Sequence, residues 1–158
     1  MNIEDVKQLE ENIIAALRGI PDAESIGRAN STVAIKRALT DLGCASGYDV
    51  CPDDCDPQWL YDLVWYRNDD GRLKRVGLVL ESEWDRHWGG IKYDFEKLLV
   101  AKAPLKVMVF DGTQEGVPEL WELMEGSIRS YEAVPTGERY ILAGWDDDTG
   151  FAFKTVVA

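Results

Sequence analysis

Apolar positions recur at three- and four-residue intervals from the start of the chain. Val6, Leu9, Ile13, Ile14 and Leu17 fall on one side of a helix predicted over Ile3 to Leu17. Pro21 follows, as expected past a helix end. A second helix is predicted after a cap at Asn30 or Ser31, carrying Val33, Ile35, Ala38 and Leu42 and closed by Gly43. Ala45 to Pro57 is rich in Gly, Pro and Asp and reads as a loop with at most one short strand.

From Trp59 the pattern turns strand-like. Trp59 to Tyr66 and Val76 to Trp84 are dense in aromatic and β-branched residues, and Asn68-Asp69-Asp70-Gly71 between them is a hairpin signal. Gly89-Gly90 breaks the chain. Ile91, Phe95, Leu98 and Leu99 then mark a helix over Ile91 to Ala103, ended by Pro104. Leu105 to Phe110 reads as a buried strand, and Pro118 to Ala133 as a helix with Pro118 in its first turn. Arg139 to Trp145 and Phe151 to Val157 form a closing hairpin around the turn at Asp146 to Asp148. This order predicts an α/β (α+β) fold with a mixed central sheet flanked by helices. No repeat or linker divides residues 1–158, so one domain is expected, with a helical part over 1–43 packed on a sheet core over 59–158.

Composition sharpens this picture. A chain of 158 residues, 46% apolar and with six tryptophans, can bury a core unaided. No apolar run approaches the ~18 residues of a membrane span, and the N-terminus lacks the pattern of a signal peptide. A cytoplasmic protein with no membrane partner is expected. The 29 acids against 17 bases, a net charge of −12, oppose binding through a generally basic surface. DNA or RNA must then be held at a local site, or the acidic surface meets a basic protein partner. Cys44, Cys51 and Cys55 read as reduced thiols. A zinc site from them would have to recruit His87, the single histidine, at a spacing unlike a zinc knuckle.

The most informative residues are carboxylates. Alternation puts Glu81 and Glu83 on one face of their strand and Leu80, Ser82 and Trp84 on the other. With Asp70-Gly71 as a two-residue turn, counting back sets Asp62 opposite Val79. That is the Glu81 face, and the diagonal separation is about 7–8 Å. Clustered acids at the end of an apolar strand repel one another, and a cation relieves them. Oxygen ligands suit Mg²⁺ or Mn²⁺.

Asp62 in one strand, Glu81-Ser82-Glu83 ending the next, and then a helix and a strand resemble the PD-(D/E)XK nuclease superfamily over Trp59 to Phe110. The resemblance implies a restriction-endonuclease-like mixed sheet and Mg²⁺-dependent phosphodiester cleavage, with Asp62 and Glu81 as metal ligands. Glu83 stands where the superfamily usually has lysine, as in some of its restriction endonucleases. The lysine can instead lie on the following helix, where Lys97 is the candidate and Lys92 its rival. Glu10 or Glu11 would be the glutamate often found on the first helix. In an active enzyme Glu83 takes the proton of the attacking water or binds a second metal, and Lys97 or Lys92 orients the water or neutralises the phosphate. Arg67, Arg72, Lys74 and Arg75 around the hairpin turn are candidates for backbone phosphates, and Trp84 and Trp88 for base stacking. The alternative is a catalytically silent relative acting as an acidic protein-interaction module.

Overall fold

The structure, a computed structural model, describes residues 3–20, 28–52, 59–113 and 116–158. Among them are helices α1 (Ile3–Arg18), α2 (Arg28–Ala45), α3 (Trp88–Val100) and α4 (Gly116–Ser130). The strands are β1 (Asp49–Cys51), β2 (Leu63–Asp69), β3 (Arg72–Glu83), β4 (Leu105–Asp111), β5 (Arg139–Asp146) and β6 (Gly150–Val157). They form one sheet in the order β1-β2-β3-β4-β5-β6. The first three strands meander antiparallel, β4 and β5 continue parallel to β3, and β6 returns antiparallel. Each parallel step crosses over through a helix, α3 and then α4, because parallel neighbours cannot be joined by a tight turn. The mixed sheet flanked by helices is therefore as the hydrophobic pattern predicts. No helix among the described residues is long and apolar enough to cross a membrane.

Alternation along the strands divides the core into two layers. Val64, Val79, Met108, Phe110 and Leu142 pack with Ile91, Phe95 and Leu98 of α3 and Met124 and Ile128 of α4. Leu63, Trp65, Leu78, Leu80, Val107 and Ile141 meet Ile13 and Leu17 of α1 and Ile35 and Leu39 of α2 on the other face. β4, between two parallel neighbours, is buried at every position, and its sequence is accordingly apolar except for Lys106, whose ammonium pairs with Glu138, and Asp111, which Arg86 holds at the strand end.

Three glycines differ from expectation. Gly43 does not end α2 but lies inside it, against the sheet: a Cβ there would stand 2.6 Å from Trp65 Nε1. The stop comes at Gly47, with φ +75°. The Tyr48 N–H donates to Gly43 O and the Gly47 N–H to Cys44 O, each at 3.0 Å, a closure that needs the left-handed residue. Gly89 and Gly90, expected to break the chain, form the first turn of α3, where Gly90 passes close to the Glu83 carboxylate. The Asp70-Gly71 turn is as expected. Both residues have positive φ, 50° and 69°, and Asp69 pairs with Arg72.

Candidate active site at the end of strand β3

Glu81 is the first acid of β3 and is only 3% exposed. It lies near the carboxyl end of the strand, on the face covered by α3 and α4. Burial, reinforced by the charges of Asp62 and Asp94, pushes its carboxyl up to about 7 against the opposing effect of Lys97. Lys97 reaches it from α3, with Nζ 2.6 Å from Glu81 Oε1. Asp94, one helical turn earlier, holds the same ammonium at 3.0 Å. Burial draws Lys97 down, but its contacts with the two acids outweigh this and its pKa rises. Tyr61 completes the surroundings; burial, and next the Glu81 charge, raise its hydroxyl.

Asp62 is placed differently from expectation. β2 begins at Leu63, so Asp62 sits in a bend just before the strand. β3 also carries two bulges, with Gly77 and Lys74 as the extra residues, so that Leu63 pairs with Leu80 and Val64 with Val79. Each bulge slips the register by one residue. Together they restore the facing rule and bring Asp62 to the level of Glu81 rather than Val79. Outside the ladder, however, alternation no longer directs its side chain. Asp62 Oδ2 accepts the Ser82 N–H at 2.9 Å and the Ser82 hydroxyl at 2.8 Å, continuing the β2–β3 ladder with a side chain. Its Oδ1 lies 3.2 Å from Lys36 Nζ of α2. The carboxylate thus leans toward the α2 layer and does not face Glu81, though its charge still acts on that residue.

The remaining candidates separate clearly. Glu83 shares the Glu81 face, and its Oε1 accepts the Asp85 N–H at 2.8 Å. Lys92 is not part of the site: it is exposed and pairs with Glu96 at 3.5 Å. Lys97 lies far from the apolar stripe of α3, yet its long stem carries the charge around the helix flank onto β3. Glu10 pairs with Arg139 at the start of β5, the opposite end of the parallel strands from Glu81, and Glu11 is exposed. Trp84 is tied to α2, its Nε1–H donating to Thr32 Oγ1 at 2.7 Å, and Trp88 packs against the α3–α4 layer. Cys44 is exposed and Cys51 buried, while Cys55 lies outside the described residues. Asp146 holds its turn by accepting the Asp148 and Thr149 N–H groups. Arg86 bridges Asp111 and Asp147, at 3.1 and 2.7 Å, so the next two strand ends carry neutralised acids.

Lys36, Ser82, Asp94 and Tyr61 went unnoticed in the sequence. Asp94 and Lys97 are spaced as a helical i, i+3 pair, a signal that would have favoured Lys97 over Lys92. Nothing in the neighbours of Lys36 marks it, since its partner lies 26 residues away. Among the described residues, no three His, Cys, Asp or Glu side chains form a group that could hold a metal ion. Compared with known proteins, the chain matches no family model, no curated protein and no solved structure.

Proposed function

We propose that the chain is a metal-dependent phosphodiesterase acting on DNA or RNA at a local site centred on Glu81 and Lys97. The observation that carries this reading is the 2.6 Å contact between Lys97 Nζ and Glu81 Oε1. It joins a lysine of the following helix to the buried acid of the strand, beside Asp62, as the resemblance to PD-(D/E)XK nucleases implies.

The donor chemistry of Asp62 and Glu81 suits Mg²⁺ or Mn²⁺, although in this structure Lys36 and Ser82 hold Asp62 turned away from Glu81. Asp62 and Glu81 offer only oxygen, and magnesium keeps several of its waters while bound through one or two carboxylates and a substrate phosphate. A third acid is therefore not required. An ion held by these two residues would supply a nucleophilic water at neutral pH and positive charge at the phosphoryl oxygens. The chain's own groups do the rest. Lys97 donates to a phosphoryl oxygen as negative charge builds there. Asp94 keeps the ammonium at the Glu81 end of its range. Glu83, two residues on and on the same face, accepts the proton of the attacking water.

A second reading has its own support. Lys36 on Asp62 and Lys97 on Glu81 neutralise both acids from within, which suits a silent relative whose acidic surface meets a basic protein partner. Cleavage separates the two. Purified protein with Mn²⁺ or Mg²⁺ should nick DNA or RNA, and Glu81→Gln should lower the rate by about 10²-fold or more. Wild type that cuts neither, or Glu81→Gln that cuts equally well, leaves the silent module as the function.

A further inference from the structure

In a chain where acids outnumber bases 29 to 17, one cavity carries two arginines on its wall. Its volume is about 370 Å³, and Asp5, Leu9, Ser46, Tyr48, Arg67 and Arg75 line it. It lies on the α1–α2 side of the sheet, toward the β2–β3 turn and away from Glu81. Arg67 and Arg75 are direct cross-strand partners, so both side chains leave the same face with Cβ atoms about 4.5–5.5 Å apart. Both guanidinium groups lie over one ring, 4.6 and 5.6 Å from the centre of Tyr48. That ring is itself fixed. It sits 5.7 Å from Trp65 and so close over Gly77 that a Cβ there would be 2.4 Å from Tyr48 Cε1.

Like charges directly opposite one another cost stability, and no acid among the described residues pairs with either of these two. Acids are not scarce nearby, since Lys74, the neighbour of Arg75, takes Asp69 at 3.3 Å. Arg67 gives one donor, Nη2, to Ser46 O at 3.1 Å, and its Nε is buried without a hydrogen-bond partner. The other donors of Arg67 and those of the exposed Arg75 have no acceptor among the described residues.

We propose that this cavity binds a phosphate monoester group, bridged between Arg67 and Arg75. A dianion matches two guanidinium charges, and the planar forks suit phosphate oxygens. Tyr48, only 6% exposed and covered by both arginines, leaves no ring face on which a base could stack. The phosphate itself is what the cavity reads. Asp5 on the α1 wall opposes any anion and moderates the affinity. Two sources share this chemistry: a small phosphorylated metabolite and the phosphorylated end of a nucleic-acid strand. The site lies on the opposite face of the sheet from Lys97 and Glu81, so it stands or falls independently of the cleavage reaction.

The test is calorimetric titration of the full chain at low salt with EDTA, which silences any metal-dependent cleavage. The titrants are inorganic phosphate, a 5′-phosphorylated trinucleotide and the same trinucleotide without its phosphate. The first two should bind, and the third about tenfold more weakly or worse. Arg75→Ala, at an exposed position, should weaken phosphate by about tenfold without lowering the melting temperature, since one of two opposed like charges is removed, and Asp5→Asn should tighten it. Equal affinity for inorganic phosphate and the phosphorylated trinucleotide identifies a metabolite site, and tighter trinucleotide binding identifies a strand end. No binding of phosphate, an Arg75→Ala that binds as wild type, or equal binding of the unphosphorylated strand overturns the proposal.

Discussion

Lys97 Nζ stands 2.6 Å from Glu81 Oε1, joining helix α3 to the end of strand β3. This pair decides between the two lysines of α3. Lys92 faces solvent with Glu96, whereas Lys97 is held by two acids and sits beside the most perturbed carboxyl on β3. If the chain has the proposed cleavage activity, Lys97→Met should therefore lower its rate by about 10²-fold or more. Lys92→Met should leave both rate and melting temperature unchanged, because exposed i, i+4 pairs contribute only about 0.3–0.5 kcal/mol. The two variants assayed side by side check this. Equal activity would remove Lys97 from the mechanism.

Much of this architecture is legible in the amino-acid sequence. The helical stripe of α1, the Asp70-Gly71 turn and the largely apolar stretch of β4 each follow from one local rule and appear where the rule puts them. The facing of Glu81 and Glu83 is equally local. What escaped was long-range or irregular. Two bulges in β3 are invisible to a count of alternating residues, and they moved Asp62 by two places while preserving its parity by cancellation. The orientation of Asp62 escaped for another reason. Once it leaves the ladder, its carboxylate is captured by Ser82 and Lys36, neither of which any spacing rule connects to it. Gly43 shows the same limit, since a helix-ending glycine and one pressed against a tryptophan look alike in sequence.

Stability should carry the signature of the buried Glu81. Its carboxyl titrates at about 7 in the folded protein against 4.5 unfolded, so between those pH values the folded state holds a proton that the unfolded chain has released. Folding is therefore helped below pH 4.5, and that contribution is lost as pH rises through 7. A shift of this size corresponds to on the order of 3 kcal/mol. Urea unfolding at pH 5 and pH 8 should show wild type losing more stability across this interval than Glu81→Gln, which cannot titrate. Parallel pH profiles would mean that Glu81 is ionised throughout.

Gly43 and Gly89 make a paired test of packing. A Cβ at Gly43 would meet Trp65 at 2.6, 2.8 and 2.9 Å, whereas one at Gly89 meets nothing within 4 Å. The indole is fully buried and cannot swing away without disturbing the α2 layer. Gly43→Ala should cost about 1–3 kcal/mol as an overpacked site. Gly89→Ala should be neutral or slightly stabilising, since alanine is the better helix former. Denaturant midpoints of the two variants check the contrast, which would disappear if α2 could lift off the sheet.

Metal binding should be readable without any cleavage assay, because Lys36 competes for one of the carboxylates. A ligand that binds only the folded state stabilises it by about 2.7 kcal/mol at 100 times its Kd, worth roughly 2–4 °C per kcal/mol in a domain of this size. Mn²⁺ should accordingly raise the melting temperature of wild type by several degrees. In Lys36→Met the ammonium 3.2 Å from Asp62 Oδ1 is gone, so the same rise should come at a lower Mn²⁺ concentration. Asp62→Asn should behave in the opposite way. Without metal it should lose about 0.5–1.5 kcal/mol, since its charge-assisted bonds with Ser82 and Lys36 are weakened. With metal its melting temperature should barely move, because a ligand has been removed. If wild type and Lys36→Met are both indifferent to Mn²⁺, then Asp62 is a latch between β3 and α2, and the two lysines are the only cations that this carboxylate cluster holds.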